Sequence, residues 1–156
     1  MRRLPATARV LPFQRHHAVA MRHDDFQQSI ITRIPDYLDR LEAQAAAGAG
    51  FTILENGRVM AIFGVTPVIP LVVEAWMLRD RAIAERGRPT AVASRYFFEA
   101  LPTATVLRRC QITVECRNFG ALRYAEWLGF EREGVLRAFG QTDSYIMSRL
   151  YGRNIQ

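Results

Sequence analysis

Alternating apolar and polar positions predict a β-hairpin and then a buried strand near the middle of the chain. Residues 51–55 and 58–65 are predicted as the two arms of the hairpin. Asn-Gly stands between the arms and supplies the positive φ values that a two-residue type I′ turn requires. Pro67 to Pro70 are expected to break the second arm. Residues 71–78 are almost continuously apolar, as in a central strand, and Glu74 is their only acidic residue.

Upstream of the hairpin, boundary residues predict one clear helix. Pro35 opens it, its body covers residues 36–47, and Gly48 ends it. Residues 16–34 are expected to hold a further helical segment, and residues 9–13 a short strand. The chain therefore places helices before its central strands.

Downstream of the central strand, a second helix is predicted over residues 89–100. Pro89 stands in its first turn, where the missing N–H is tolerated, and Pro102 is expected to end it. A strand over residues 106–114 follows, with alternate apolar side chains on one face.

The last third of the chain predicts a strand, a capped helix and two further strands. Asn118 is a preferred N-cap residue, and Gly129 stands where a glycine would close the helix. Residues 131–137 and 143–150 are predicted as the two strands. One side of the helix carries Ala121, Leu122, Ala125 and Leu128 at helical spacing.

The charge pattern favours a phosphate-bearing partner. All 21 basic residues are arginine, and the formal net charge is +6. Arginine stays protonated and binds phosphate bidentately, so this excess fits a phosphate-bearing ligand or contact with nucleic acid. A compositional bias of the genome is the alternative explanation.

Nothing in the sequence marks the chain for a membrane or for export. No run approaches the roughly 18 apolar residues of a membrane helix, and the first residues lack the apolar stretch of a signal peptide. Cys110 and Cys116 lie six positions apart on one predicted strand, too far for a disulfide. We therefore expect a cytoplasmic protein with reduced thiols, folded as a single domain over residues 1–156.

Residues 109–150 resemble the C-terminal half of the acetyl-CoA-dependent N-acetyltransferase superfamily, usually called GNAT. The resemblance rests on Asn118, on Ala121 three positions later, and on Gly129 and Phe130 eleven and twelve positions later. The run from Gly129 to Arg137 is most similar to the ribosomal-protein N-terminal acetyltransferase branch. Small GNAT-like proteins of tailed bacteriophages, some of them internal virion proteins, are also similar.

This resemblance implies an α/β fold, in the wider α+β sense. Its central sheet is expected to be mostly antiparallel, with six or seven strands flanked by about four helices. The sheet is expected to splay between the strands at 71–78 and 109–114.

The resemblance also implies acetyl-CoA as co-substrate. In the family, a loop between the central strand and a helix holds the pyrophosphate on its backbone N–H groups. Pro89 replaces the first glycine of the family's pattern, which removes one N–H donor. A solvated loop that caps the helix is the alternative. The residues that match the family's coenzyme contacts are Met77, Arg86, Gly87, Arg88, Thr90, Ala91 and Asn118.

For catalysis, the resemblance points to Glu74 as general base and to Tyr124 as a candidate acid. Many relatives carry a tyrosine seven positions after the asparagine, where this chain has Ala125, and Tyr124 lies about 100° around the helix from that position. An ion-paired or solvated Glu74 and a packing role for Tyr124 are the alternatives. No metal site is expected, because the three histidines lack matching ligand spacing.

Two functions follow from these residues. The first is acyl-CoA-dependent N-acyltransferase activity, in which a primary amine attacks the thioester directly. The second is a catalytically degenerate GNAT-like protein that serves as a structural or internal component of a bacteriophage virion, with other virion proteins or DNA as partners. The sequence does not identify the amine acceptor.

Overall fold

The computed structural model of the protein describes residues 3–152. Within this range the chain forms seven strands and six helices. The strands are β1 (Ala8–Pro12), β2 (Ala49–Glu55), β3 (Arg58–Ile69), β4 (Val72–Arg79), β5 (Arg109–Glu115), β6 (Glu131–Leu136) and β7 (Ser144–Leu150). The helices are α1 (Arg15–Ala20), α2 (Asp25–Ile31), α3 (Tyr37–Ala47), α4 (Ile83–Arg86), α5 (Arg88–Ala104) and α6 (Phe119–Trp127).

The strands hydrogen-bond in the order β1-β2-β3-β4-β5-β7-β6. The pairs β1–β2, β2–β3, β5–β7 and β6–β7 are antiparallel, whereas β4 and β5 are parallel. This confirms the predicted α/β class and the mostly antiparallel sheet. The six helices of residues 3–152 exceed the four expected. Helices α1 and α4 have only six and four residues, too few to leave a clear apolar period in the sequence.

The described chain divides into two compact units, and β3, β4 and α5 contribute to both. Unit 1 holds the residues up to Thr66 together with Trp76–Phe97. In its core, the rings of Phe51, Phe63 and Phe97 pack with centroids 5.1 to 5.9 Å apart. Such tilted and edge-on arrangements suit the aromatic quadrupole.

Unit 2 holds Pro67–Ala75 and the residues from Phe98 onward. Cys110 on β5 and Met147 on β7 are completely buried. The Phe98 ring on α5 meets the Phe130 ring edge-on, with centroids 5.1 Å apart. The first part of β4 therefore shares a unit with β5, β6, β7 and α6.

Helix α6 has the caps that the sequence predicts. The Asn118 side-chain oxygen accepts a hydrogen bond from the Ala121 N–H at 3.2 Å. Gly129 adopts φ +88° and donates to the Glu126 carbonyl at 3.0 Å. The next residue donates to the carbonyl five positions before it, also at 3.0 Å. These two bonds form a complete Schellman motif, so the helix ends where the glycine requires it to end.

The prediction that Pro67 breaks the hairpin's second arm was wrong, because β3 continues through it to Ile69. The β2–β3 ladder reaches only Val65, which pairs with Ala49. Beyond that pair β2 no longer needs N–H donors from β3. A strand with one side released from its ladder tolerates proline.

The prediction that Pro102 ends its helix was also wrong, because α5 runs to Ala104. Proline has no N–H, so the Phe98 carbonyl four positions earlier lacks its helical donor. The Tyr151 hydroxyl donates to that carbonyl instead, at 3.0 Å. Burial raises the pKa of the Tyr151 phenol, which therefore keeps its proton and remains a donor.

No helix within residues 3–152 is long and apolar enough to cross a membrane.

Candidate functional site

Glu74 lies where the parallel ladder between β4 and β5 stops. Over the described residues these strands pair at three positions only, and Glu74 opposite Gln111 is the last pair. The Glu74 side chain is half-buried, and its Oε2 accepts a long hydrogen bond from the Gln111 amide at 3.4 Å. A carboxylate at the end of a ladder can meet a ligand that lies beyond the last strand pair. The structure therefore leaves Glu74 in a position that suits a base.

A second carboxylate, Glu115, was missed in the sequence. It is the last residue of β5 and lies on the same face of the strand as Gln111, four positions away. Its Oε1 accepts a hydrogen bond from the Thr142 hydroxyl at 2.9 Å, in the connection between β6 and β7. A carboxylate at the end of a strand, shortly before an N-capped helix, is the signal that could have identified it.

The predicted pyrophosphate segment forms the junction between α4 and α5 in unit 1. Arg86 ends α4 and Arg88 begins α5, both are exposed, and Pro89 lies in the first turn of α5. The Ala91 N–H donates to the Gly87 carbonyl at 2.9 Å, so it is used inside the helix. The first turn of a helix presents N–H groups without intrahelical acceptors, and Pro89 removes one of them. Two guanidinium groups thus stand beside the remaining donors.

Asp80 supports the chain just before this junction and was not identified from the sequence. It is almost fully buried at the end of β4. Its Oδ1 accepts from Arg58 at 2.5 Å and from the Ala82 N–H at 2.9 Å, while Oδ2 accepts from the Arg22 N–H at 3.0 Å. A buried carboxylate bound in this way fixes the backbone between β4 and α4.

Met77 packs in the core of unit 1. Its side chain lies against a buried cluster that includes Met60, Phe63 and Ala93. The assignment of Met77 to the coenzyme stays a prediction.

Asn118 directly precedes α6 and Tyr124 lies within it, both in unit 2, and each has a structural partner. Asn118 caps the helix. The Tyr124 ring stacks on the Trp127 ring, with centroids 5.9 Å apart, while Ala125 faces the core. Stacking holds Tyr124 away from the buried side of α6, as its position on the helix predicts. An acid role for Tyr124 stays a prediction.

The candidate residues therefore fall into two groups. Met77 and the segment from Arg86 to Ala91 belong to unit 1, whereas Glu74, Asn118 and Tyr124 belong to unit 2. Glu74 has a polar side-chain partner on the neighbouring strand β5, namely Gln111.

No protein-family model matches the sequence, and no curated protein matches it. Solved structures do match the fold. A GNAT-family acetyltransferase from Streptococcus pneumoniae superposes with a TM-score of 0.71 at 18% identity, covering 93% of this chain and 99% of that one. The ribosomal-protein-S18-alanine N-acetyltransferase of Escherichia coli gives 0.67 at 17% identity, covering 96% and 99%. The yncA protein of Salmonella typhimurium, determined with its cofactor acetyl-CoA, gives 0.69 at 15% identity, covering 96% and 97%.

These similarities confirm the predicted fold. The chain has the GNAT architecture over nearly its whole length, and the matched structures include ribosomal-protein alanine acetyltransferases. The sequence identities to these three structures are below 20%, so the similarity shows a shared fold only. The reaction has to be inferred from the residues of this chain.

Proposed function

We propose that this protein transfers an acetyl group from acetyl-CoA to a primary amine. The observation that carries the proposal is Glu74, a half-buried carboxylate in the last pair of a short parallel ladder within a GNAT fold. A base in that position can take a proton from an amine that enters beyond the ladder. Acyl transfer needs such a base, because an ammonium ion has no lone pair to attack with.

The proposed reaction is a direct attack. The amine lone pair adds to the thioester carbonyl carbon, a C–N bond forms, and the C–S bond breaks. The amine's proton passes to the Glu74 carboxylate, directly or through one water. The sulfur leaves as the thiolate of coenzyme A and is then protonated. No covalent enzyme intermediate is required.

The start of α5 fits the pyrophosphate of acetyl-CoA. The helix has 17 residues, and its first turn presents N–H groups close in sequence to two exposed guanidinium groups, that of Arg88 in the helix and that of Arg86 at the end of α4. Charge-assisted bonds from arginine can compensate for the donor that Pro89 removes. We therefore assign pyrophosphate binding to this segment.

We propose an α-amine as the first acceptor to test. The similarity of residues 129–137 to the ribosomal-protein branch supports it, and the matched Escherichia coli enzyme acts on the alanine of ribosomal protein S18. A short peptide beginning with alanine and the polyamine spermidine are suitable probes of two amine classes.

Calorimetric titration with acetyl-CoA tests the proposal. We expect saturable binding to the wild type, and at least about tenfold weaker binding when Arg86→Ala and Arg88→Ala are combined, since each charge-assisted bond contributes about 1.5–3 kcal/mol. Arg95→Ala removes one charge from α5 two turns further on, beyond the reach of the helix end, and serves as the control for Arg88→Ala alone. No binding at millimolar acetyl-CoA, or no release of coenzyme A thiol with any amine, would overturn the proposal.

The alternative function is a non-catalytic GNAT-like protein in a phage particle. Pro89 in the first turn of α5 and Ala125 at the family's tyrosine position are the observations that favour a loss of catalysis. This alternative predicts no heat in the same titration. It also predicts a fixed copy number of the chain in purified particles by mass spectrometry.

A further inference from the structure

A continuous series of side-chain hydrogen bonds crosses one face of the sheet in unit 2. It begins at Glu74 on β4 and passes through Gln111 and Arg109 on β5. It ends at Glu133 on β6 and Ser148 on β7. Residues 109 and 111 share a face of β5 by parity, and Ser148 is the cross-strand partner of Gln111. The series therefore joins four strands on the face that carries Glu74.

The hydrogen bond from Arg109 fixes the orientation of the Gln111 side-chain amide. Its Nε donates to the Gln111 Oε1 at 3.1 Å. A guanidinium group has donors only, so the oxygen of the amide must face it. The amide nitrogen is thereby directed to the opposite side, where it donates to the Glu74 Oε2 at 3.4 Å. The orientation of an amide is often ambiguous, but here the arginine determines it.

Arg109 is itself held in place by Glu133. Two parallel bonds of 2.9 and 2.6 Å join its terminal nitrogens to the two carboxylate oxygens. The Ser148 hydroxyl donates to the Glu133 Oε1 at 2.5 Å from a nearly fully buried position. Hydrogen bonds from Arg109 and Ser148 lower the pKa of Glu133, so this carboxylate stays charged. A bidentate pair restricts both partners more than a single bond does.

A β-bulge aims Glu133 at this series. The register of β6 against β7 shifts between Arg132 and Gly134, so Glu133 is the extra residue without a cross-strand partner. Its neighbours Glu131 and Gly134 pair with Ser148 and Ile146, two residues on one face of β7. A bulge redirects a side chain in this way, and bulges are frequent beside active sites.

We propose that Gln111 is a positioning residue for Glu74, held in its donating orientation by Arg109 and Glu133. The inference rests on the proposed function, in which Glu74 accepts the amine's proton. The Gln111 amide donates to the Oε2 of Glu74. In the proposed reaction, the Oε1 of Glu74 therefore takes the proton of the incoming amine. The bond is long, at 3.4 Å, and catalytic hydrogen bonds often tighten only in the reacting complex.

The first test uses the NMR signals of the Gln111 side-chain NH2 group, which do not depend on turnover. We expect Glu74→Gln to shift these signals, because the charge beside the donor is lost. We expect Arg109→Met to move both signals toward those of a solvated glutamine amide, because the amide is then free to turn about its Cγ–Cδ bond, while the two protons stay distinct across the C–N bond. Arg132→Met removes a different ion pair of the same unit, with Glu126, and should leave the signals unchanged.

The second test is kinetic and uses the amine probe that the wild type acetylates. Gln111→Met keeps the length of the side chain and removes the donor, and we expect kcat to fall about tenfold with KM for acetyl-CoA unchanged. Gln111→Glu keeps an acceptor for Arg109 but places a second carboxylate against Glu74. We expect it to lower kcat further than Gln111→Met, whereas a residue that only stabilises the fold would tolerate it better.

The outcomes separate the two proposals. If the wild type transfers acetyl groups and Gln111→Met retains full kcat, the positioning role is overturned and the acetyltransferase function stands. If Glu74→Gln or Arg109→Met leaves the Gln111 signals like those of Arg132→Met, the positioning role is overturned whatever the activity. If the wild type transfers nothing, the proposed function fails, and the NMR signals alone decide whether Gln111 holds Glu74.

Discussion

Two carboxylates, Glu74 and Glu115, are candidates for the general base of the proposed acetyl transfer. Glu74 has an amide donor on one oxygen, whereas the Glu115 Oε1 is bound by the hydroxyl of Thr142. An amide held by an arginine fixes its acceptor more firmly than a hydroxyl that can rotate. This difference favours Glu74 and leads to a direct comparison of the two residues.

We expect Glu74→Gln to lower kcat about 10²-fold, the usual contribution of a general base, while the affinity for acetyl-CoA stays the same. Steady-state rates and calorimetry on the same preparation measure both quantities. Glu115→Gln is the matched control and should change kcat much less. The reverse order of the two variants would move the base to Glu115.

His17 gives the fold a pH dependence below neutrality. Its ring is buried, and its Nδ1 accepts from the Gln14 N–H at 3.1 Å and contacts the Thr52 hydroxyl at 2.7 Å. Burial lowers the pKa of His17 below its ordinary value of 6.5, and the neighbouring His16 adds to the shift. The folded state therefore keeps this ring neutral, while the unfolded chain takes up a proton as the pH falls.

We expect the free energy of unfolding to decrease as the pH falls below about 6.5, by at most about 1.4 kcal/mol per pH unit for this one proton. The loss should level off once the folded protein also protonates His17. His17→Asn keeps an acceptor and removes the titration, so its stability should depend less on pH. Burial lowers the pKa of His23 too, against the charges of Asp24 and Asp80, so a smaller slope should remain. Urea titrations between pH 5 and 8 measure these slopes; identical slopes would contradict the assignment.

At the scale of elements, the stability of α6 depends on the residues that cap its two ends. Asn118 satisfies a first-turn N–H, and Gly129 closes the last turn at φ +88°. The three heavy atoms nearest to a Cβ on Gly129 all belong to the Arg149 side chain and lie 3.8 Å or more away. The cost of a side chain there is therefore backbone strain and not a clash.

We expect Gly129→Ala to lower the free energy of unfolding by about 1–2 kcal/mol, the cost of the left-handed region for an L-residue. Gly120 is the matched control, because it lies in the same helix and a Cβ added there would meet nothing within 4 Å. Gly120→Ala should stabilise the protein by up to about 1 kcal/mol through helix propensity. Urea denaturation measures both, and equal effects would contradict the role of the left-handed C-cap.

At the scale of the whole molecule, binding of acetyl-CoA should stabilise the fold. A ligand at 100 times its Kd adds about 2.7 kcal/mol, which for a chain of 156 residues raises Tm by about 5–10 °C. S-acetyl-pantetheine lacks the pyrophosphate and should raise Tm much less at the same concentration. Thermal unfolding monitored by circular dichroism distinguishes the two ligands. Equal shifts would contradict pyrophosphate binding at Arg86 and Arg88.

The absence of lysine simplifies any assay on this protein. All 21 basic residues are arginine, so the chain carries no ε-amines. Acetyl-lysine detected in a reaction mixture must therefore come from the acceptor and not from the protein itself.

The sequence by itself determined the elements whose signals are local. The Asn-Gly hairpin and the caps of α6 depend on positive φ values and on hydrogen bonds within a few residues, so the printed order of residues is enough to find them. The predictions for Pro67 and Pro102 were wrong because the effect of a proline on its element is not a local property. Whether Pro67 or Pro102 breaks an element depends on the partner available to the backbone, and for Pro102 that partner is Tyr151, 49 positions away.

Only the tertiary structure decided the surroundings of the candidate base. Glu74 was identifiable as an isolated acid in an apolar strand, but its partner Gln111 lies 37 positions later and is brought opposite it by the β4–β5 register. Glu133 on β6 reaches Arg109 across β7, and one bulge shifts β6 by a single residue at that point. Register between distant strands is set by packing and by the turns that connect them, and a shift of one residue would turn each of these side chains to the other face.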